Sequence, residues 1–159
     1  MAKNSAGLLM YRKRNDELEV LLVHLGGPFW KKKDQGAWFV PKGEVNKGED
    51  EFVAAQREFQ EETGLVPSDE FLSLGAVHHK SGKKVTAWAF AGDCDPASLK
   101  SNSFEMEWPP RSGKTATFPE IDCANFFTVS TAREKMHPAE FEFLLRLQQI
   151  LSEQSPSSK

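Results

Sequence analysis

The chain has 159 residues, 39% of them hydrophobic and 27% charged, with a formal net charge of −3. That length suits one domain, and the balance excludes a collagen, a coiled coil and a globally disordered chain. The acidic total speaks against a bulk electrostatic grip on nucleic acid, and no apolar run approaches the ~18 residues that a membrane span needs.

Ser5–Arg12 and Glu19–His24 read as two strands joined by the charged turn Lys13–Glu17. Gly26-Gly27-Pro28 opens a loop carrying Lys31, Lys32 and Lys33, and the apolar run Ala37–Val40 ends at Pro41-Lys42-Gly43. Asp50 to Thr63 is rich in helix formers and stops at Gly64, with Pro67 just beyond. Phe71–His79 and Lys84–Ala91 predict a hairpin across Ser81-Gly82. From Gly92 to Glu120 the pattern breaks down, which predicts a long irregular loop of functional character. Asn125–Val129 reads as a last short strand, followed by a short helix from about Thr131. Pro138 then starts a helix with Phe141, Leu144, Leu145 and Gln148 at helical spacing. Residues 1–153 form the expected single domain, and Gln154–Lys159 a polar, frayed tail. Interleaved strands and helices give the class α/β (α+β).

Cys94 and Cys123 are too few and too far apart for a zinc site or a disulfide framework, so they read as two reduced thiols. The first residues lack the apolar stretch of a secretory signal, and the expected location is cytoplasmic.

The segment that carries chemistry lies between Gly43 and Leu65. On a helical wheel at ~100° per residue, Glu58, Glu61 and Glu62 share one face. Phe52, Ala55 and Phe59 form a separate apolar face. Arg57 stands four residues before Glu61, and Ala54 lies beside the acids, where a small side chain leaves room for a ligand. Three like charges on one turn repel, by roughly 0.2–0.5 kcal/mol for an exposed i,i+4 pair, and the last turn of a helix disfavours anions. A divalent cation reverses both penalties, and carboxylate oxygens suit Mg²⁺ or Mn²⁺. An acidic helix face taken alone is more often solvated surface. Its context decides otherwise.

That context reads Gly43-x5-Glu49-x7-Arg57-Glu58-Phe59-x-Glu61-Glu62-x-Gly64-Leu65. It resembles the signature of the Nudix hydrolases at every defining position. Seven such residues would coincide by chance with odds on the order of one in a million. The resemblance implies an α/β/α sandwich around a mixed β-sheet, with the motif as a loop–helix–loop. It implies Glu58, Glu61, Glu62 and the carbonyl of Lys42 as metal ligands. Gly43 would allow close backbone approach, Arg57 would orient the carboxylates, and Glu49 would brace the loop. The implied reaction is attack of water on phosphorus in a nucleoside diphosphate derivative, with Mg²⁺ or Mn²⁺ as cofactor. Glu61 is one candidate base. Others are Glu105, Glu107, Glu120 and Asp122, with Glu120 placed first because it shortly precedes the last strand.

Trp38-Phe39-Val40-Pro41-Lys42-Gly43 resembles the approach strand of dinucleoside polyphosphate hydrolases, although Glu44 stands where a His is common there. Dinucleoside polyphosphates are therefore the first substrate expected. A pyrophosphohydrolase of damaged nucleoside triphosphates and a non-catalytic nucleotide-binding module are the alternatives. Lys42, Lys83 and Lys84 are candidate phosphate contacts, and Trp108 a candidate stacking surface for a base. The expected partner is a small nucleotide rather than a nucleic acid or membrane, with monomer and homodimer both open. Two further patterns are coincidental. Arg111-Ser112-Gly113-Lys114-Thr115 imitates the end of a phosphate-binding loop, but Trp108 stands at the required first glycine. His78 and His79, adjacent in a strand, point to opposite faces.

Overall fold

The computed structural model describes residues 4–67, 70–99 and 103–154. In chain order the elements are β1 (Asn4–Arg14), β2 (Glu17–Leu25), β3 (Trp38–Phe39), β4 (Lys42–Glu44) and α1 (Glu51–Thr63). After these come β5 (Leu72–His78), β6 (Lys84–Ala91), β7 (Ser103–Glu107), β8 (Thr115–Pro119), β9 (Ile121–Thr128), α2 (Val129–Lys135) and α3 (Pro138–Gln154). Asn15 and Asp16 both adopt positive φ, so β1 and β2 run right up to a two-residue turn and exceed the predicted strands.

A seven-stranded mixed sheet has the order β3-β2-β1-β6-β5, with β4 beside β1 and β9 beside β2. β1 runs parallel to β6 and antiparallel to β2 and β4. The alternation along β1 sends Ala6, Leu8 and Met10 to one core with Ala54, Ala55 and Phe59 of α1. Leu9 enters a second core with Phe143, Leu144 and Leu147 of α3. Helices thus cover both faces, which explains the unbroken apolar runs of β1 and β2. This is the expected α/β/α sandwich.

β4 pairs with Ser5–Gly7 of β1, whereas β2 pairs with Tyr11–Arg14 of the same strand. The sheet forks between them, and Pro41–Gly43 enters the fork, where Leu8 N–H donates to the Pro41 carbonyl at 3.2 Å. Gly7 permits this, since a Cβ there would lie 2.4 Å from the Pro41 oxygen.

Several expectations need correction. The stretch 92–120 is not irregular throughout: it holds a 3₁₀ turn at Pro96–Ser98 and the antiparallel β7–β8 ribbon. The alternation of Phe104, Met106, Ala116 and Phe118 with polar residues runs for only five positions in each strand, too short to stand out among the prolines and glycines of this stretch. β9 begins at Ile121 instead of Asn125, and α2 at Val129 instead of Thr131. The buried stripe of α3 is Glu140, Phe143, Leu144 and Leu147, and Leu145 faces outward. Ala54 makes no room for a ligand, because the apolar face of α1 is broad enough to bury it against the sheet. Helix α3 extends to Gln154, and the remainder of the predicted tail lies outside the described residues.

Candidate active site

Helix α1 presents the acids because its ends are fixed. Asp50 accepts from the N–H groups of Phe52 and Val53 at 3.0 and 3.2 Å, and Gly64 closes the helix in the left-handed region. Phe59 is wholly buried, edge-on to Phe90, which sets the rotation of the helix.

Arg57 is the hub of the loop before the helix. Its Nε and Nη2 each donate to Glu49 at 2.9 Å, and Nη2 also donates to the Glu44 carbonyl at 3.1 Å. Its Nη1 donates to Glu58 at 2.7 Å and to Glu61 at 3.3 Å. The guanidinium holds the Glu49 carboxyl down at about 2, with the Asn46 N–H adding to the effect. One planar cation thus ties the loop to two of the three acids.

Glu58 and Glu62 meet the backbone at Lys42-Gly43. A Cβ on Gly43 would lie 1.9 Å from Glu58 Oε1, so only glycine lets this carboxylate approach. Glu62 is 8% exposed and accepts from the Lys42 N–H at 3.0 Å. Burial pushes the Glu62 carboxyl up to about 8; the Lys42 charge opposes this, and Glu58 and Glu120 add to it. Burial also raises Glu58, against the pull of Arg57. Glu120 therefore lies within electrostatic reach of both acids, and its carbonyl accepts from the Gly26 N–H at 2.9 Å. Glu62 further borders a cavity of about 460 Å³ shared with Val23, Ile121, Asn125 and the 3₁₀ turn.

Chemically, this is a set of hard oxygen donors, two of them desolvated and reluctant to ionise, gathered at one peptide. It fits a divalent cation. Glu58 and Glu62 meet there, while Glu61 leans out to Arg57. Among the described residues, the triad whose ligand atoms lie within 4.8 Å of one another is His24, Asp122 and Cys123. His24 is otherwise engaged: Nδ1 lies 2.8 Å from Asp122 and Nε2 2.5 Å from the Lys33 carbonyl, tying the lysine loop to β9.

The candidate lysines separate. The Lys42 ammonium lies 3.0 Å from Glu140 on the α3 side, so its backbone, not its side chain, meets the acids. Lys83 sits half-buried nearby; burial lowers its pKa and the Lys42 charge adds to that, while Glu140, Glu44 and Glu62 oppose. Lys84 pairs with Glu51 at 3.7 Å, at the opposite end of α1 from Glu62. Trp108 packs edge-on against the exposed Phe29, bringing the β7–β8 ribbon to the loop after β2. The pattern resembling a phosphate loop is the ribbon's turn, closed by Trp108 N–H to the Lys114 carbonyl.

Sequence reasoning missed Glu140, which is fully buried and accepts from Val40 N–H, Lys42 Nζ and His79 Nε2, each at 3.0 Å. Its signal was a carboxylate at an apolar position, three residues before Phe143 and four before Leu144.

The family model described as NUDIX domain matches residues 1–147. The chain belongs to the Nudix family. It is 33% identical over 111 residues to Nudix hydrolase 7 of Arabidopsis thaliana, covering 66% of this chain and 38% of that protein. It is also 40% identical over 65 residues to a bis(5′-nucleosyl)-tetraphosphatase (asymmetrical) of Caenorhabditis elegans, covering 41% of this chain and 43% of that one. The matched segments thus span less than half of either relative. In structure, a C. elegans Ap4A hydrolase binary complex superposes with TM-score 0.65 at 23% identity, over 96% of this chain and 99% of that chain. The NUDIX domain of Shewanella oneidensis NrtR complexed with ADP ribose also gives 0.65, at 12% identity, over 95% and 89%. These two likenesses concern the fold.

Proposed function

We propose that this Nudix protein is a divalent-metal pyrophosphohydrolase of nucleoside diphosphate derivatives, with dinucleoside polyphosphates as its substrates. The observation that carries the reading is the pair of desolvated carboxylates, Glu58 and Glu62, gathered at the Lys42-Gly43 backbone. Mg²⁺ or Mn²⁺ would be held by Glu58, Glu61, Glu62 and the Lys42 carbonyl. When bound, the metal supplies charge neutralisation of the pyrophosphate and acidifies a water. Arg57 keeps Glu58 and Glu61 oriented, and Glu49 keeps Arg57 in place. Glu120, close enough for its charge to act on Glu58 and Glu62, takes the proton of the attacking water. Glu61, the more exposed acid, is the alternative base.

Lys83 contacts the phosphates furthest from the acids; Lys84, engaged with Glu51, does not. Trp108 with Phe29 offers aromatic edges and faces for a base. The likeness in sequence to a C. elegans bis(5′-nucleosyl)-tetraphosphatase supports the dinucleoside choice over damaged triphosphates. The complete acid set speaks against a silent binding module. A nucleotide panel assayed with Mg²⁺, with product identification in ¹⁸O water, tests the reading. Turnover of tetraphosphate-bridged dinucleotides is expected. Strong preference for an oxidised triphosphate moves the assignment to the damaged-nucleotide alternative, and absence of turnover with retained binding moves it to the module.

A further inference from the structure

Glu140 occupies a place where the fold asks for an apolar side chain. It lies on the buried stripe of α3 with Phe143, Leu144 and Leu147, yet it is a carboxylate with no exposed surface. Both of its oxygens are engaged. Oε1 accepts from the Val40 N–H, and Oε2 takes both the Lys42 ammonium and the His79 ring. Val40 and Lys42 belong to the segment that enters the sheet fork, and the Lys42 N–H donates to Glu62. His79 opens the turn that ends at Lys83, closed by His79 N–H to the Lys83 carbonyl at 2.9 Å. One carboxylate therefore spans two segments that no strand pairing joins to each other.

We infer that Glu140 is a positioning residue, which sets the Lys42-Gly43 backbone against Glu58 and Glu62 and holds the His79–Lys83 turn at a fixed separation from it. The inference rests on the proposed metal site and deepens it. A partner that fixes a ligand's orientation typically costs 10–100-fold in metal affinity when removed. Glu140 acts on the backbone at Lys42 through both the Val40 and Lys42 contacts. It reaches the turn that carries Lys83 through the His79 contact, and Lys83 itself through its charge.

The test compares the wild-type chain with Glu140→Gln, His79→Gln and Leu147→Ala. Leu147→Ala opens the same α3 core seven residues from Glu140, removes none of the polar contacts that Glu140 makes, and serves as the control for lost stability. Mn²⁺ binding is read by electron paramagnetic resonance, which needs no substrate. Failure of the dinucleoside reading would thus leave this arm intact. Glu140→Gln, which keeps the Val40 acceptor but loses the charge, is expected to weaken Mn²⁺ binding roughly tenfold or more, with kcat falling in parallel. Leu147→Ala is expected to melt earlier but bind Mn²⁺ as wild type does at a temperature where it is folded. His79→Gln, which keeps a donor, is expected to raise KM about threefold or more for a tetraphosphate-bridged dinucleotide and leave Mn²⁺ affinity unchanged. A folded Glu140→Gln with Mn²⁺ affinity and kcat within about twofold of wild type overturns the inference. So does loss of Mn²⁺ affinity in Leu147→Ala equal to that in Glu140→Gln. Should Glu140→Gln fail to fold, an unchanged KM in His79→Gln is the overturning result.

Discussion

Two buried glutamates flank the Lys42-Gly43 segment and behave in opposite ways. Glu62, on the α1 side, has its carboxyl pushed up to about 8 by burial. Glu140, on the α3 side, is buried more completely, yet Lys42 and the hydrogen bonds from His79, Lys42 and Val40 outweigh its desolvation and hold it at about 2. Burial is nearly equal; partners are not. Glu140 has the Lys42 ammonium, the His79 ring and a backbone N–H in direct contact, whereas Glu62 has one N–H, the more remote Lys42 charge and two acidic neighbours. A desolvated acid whose one nearby cation, Lys42, does not offset its burial is the arrangement that a metal ion would complete. The α3 side is a finished internal brace, and the α1 side is where we propose that the metal binds.

The sharpest way to break this contrast is to neutralise each acid in turn. Glu62→Gln is expected to lower kcat by ~10²-fold or more with folding intact, because charge stabilisation of the transition state is lost. Steady-state kinetics beside a thermal melt checks this, and unchanged turnover in the folded variant removes Glu62 from the site. Phe59→Ala acts on the scaffold instead, with an expected loss of ~3–5 kcal/mol in denaturant unfolding, as for a fully buried aromatic. A smaller effect is expected in pH dependence. The raised pKa of Glu62 means that the metal-free folded state binds its proton more tightly than the unfolded chain. That stability is fully present below the ordinary carboxylate pKa and fades as pH rises through about 8. Mg²⁺ competes for the ionised form, so the rise in Tm on adding Mg²⁺ should be larger at pH 9 than at pH 6. An equal rise at both values contradicts the assignment. The mildest test concerns phosphate contacts. Lys83→Ala should raise KM for a tetra- or hexaphosphate-bridged dinucleotide more than for a triphosphate, and Lys84→Ala should move neither. Equal shifts in the two variants would make both lysines surface charge.

How much of this was legible in the sequence differs between the same two sides. Helix α1 announced itself by local signals: the Asp50 cap, the Gly64 stop, and acids and apolar residues sorted to separate faces. Its environment was less readable. The burial of Ala54 depends on how closely β1 approaches, and no spacing along the helix encodes that. The α3 side was mostly hidden, because Lys42, His79 and Glu140 are brought together only by the fold. Glu140 did leave a trace as an acid within an apolar stripe, obscured by an off-register reading that included the exposed Leu145. The β7–β8 ribbon escaped notice for a different reason. Its two strands are five residues each and join neither main core, so their polar–apolar alternation was too brief to mark them in the sequence. Lys83 and Lys84 looked equivalent as neighbours, and only the strand geometry sends one toward Lys42 and the other to Glu51.

The central claim, that Glu62 is a buried acid completed by a cation, is tested most directly by counting protons. Calorimetric titration of the metal-free chain with Mg²⁺ at pH 7, repeated in buffers of different ionisation enthalpy, gives the number released per ion bound. With a carboxyl at about 8, close to one proton is expected to leave, and that release should vanish in Glu62→Gln together with most of the Mg²⁺ affinity. Binding of Mg²⁺ without proton release, at an affinity unchanged in Glu62→Gln, would contradict the account.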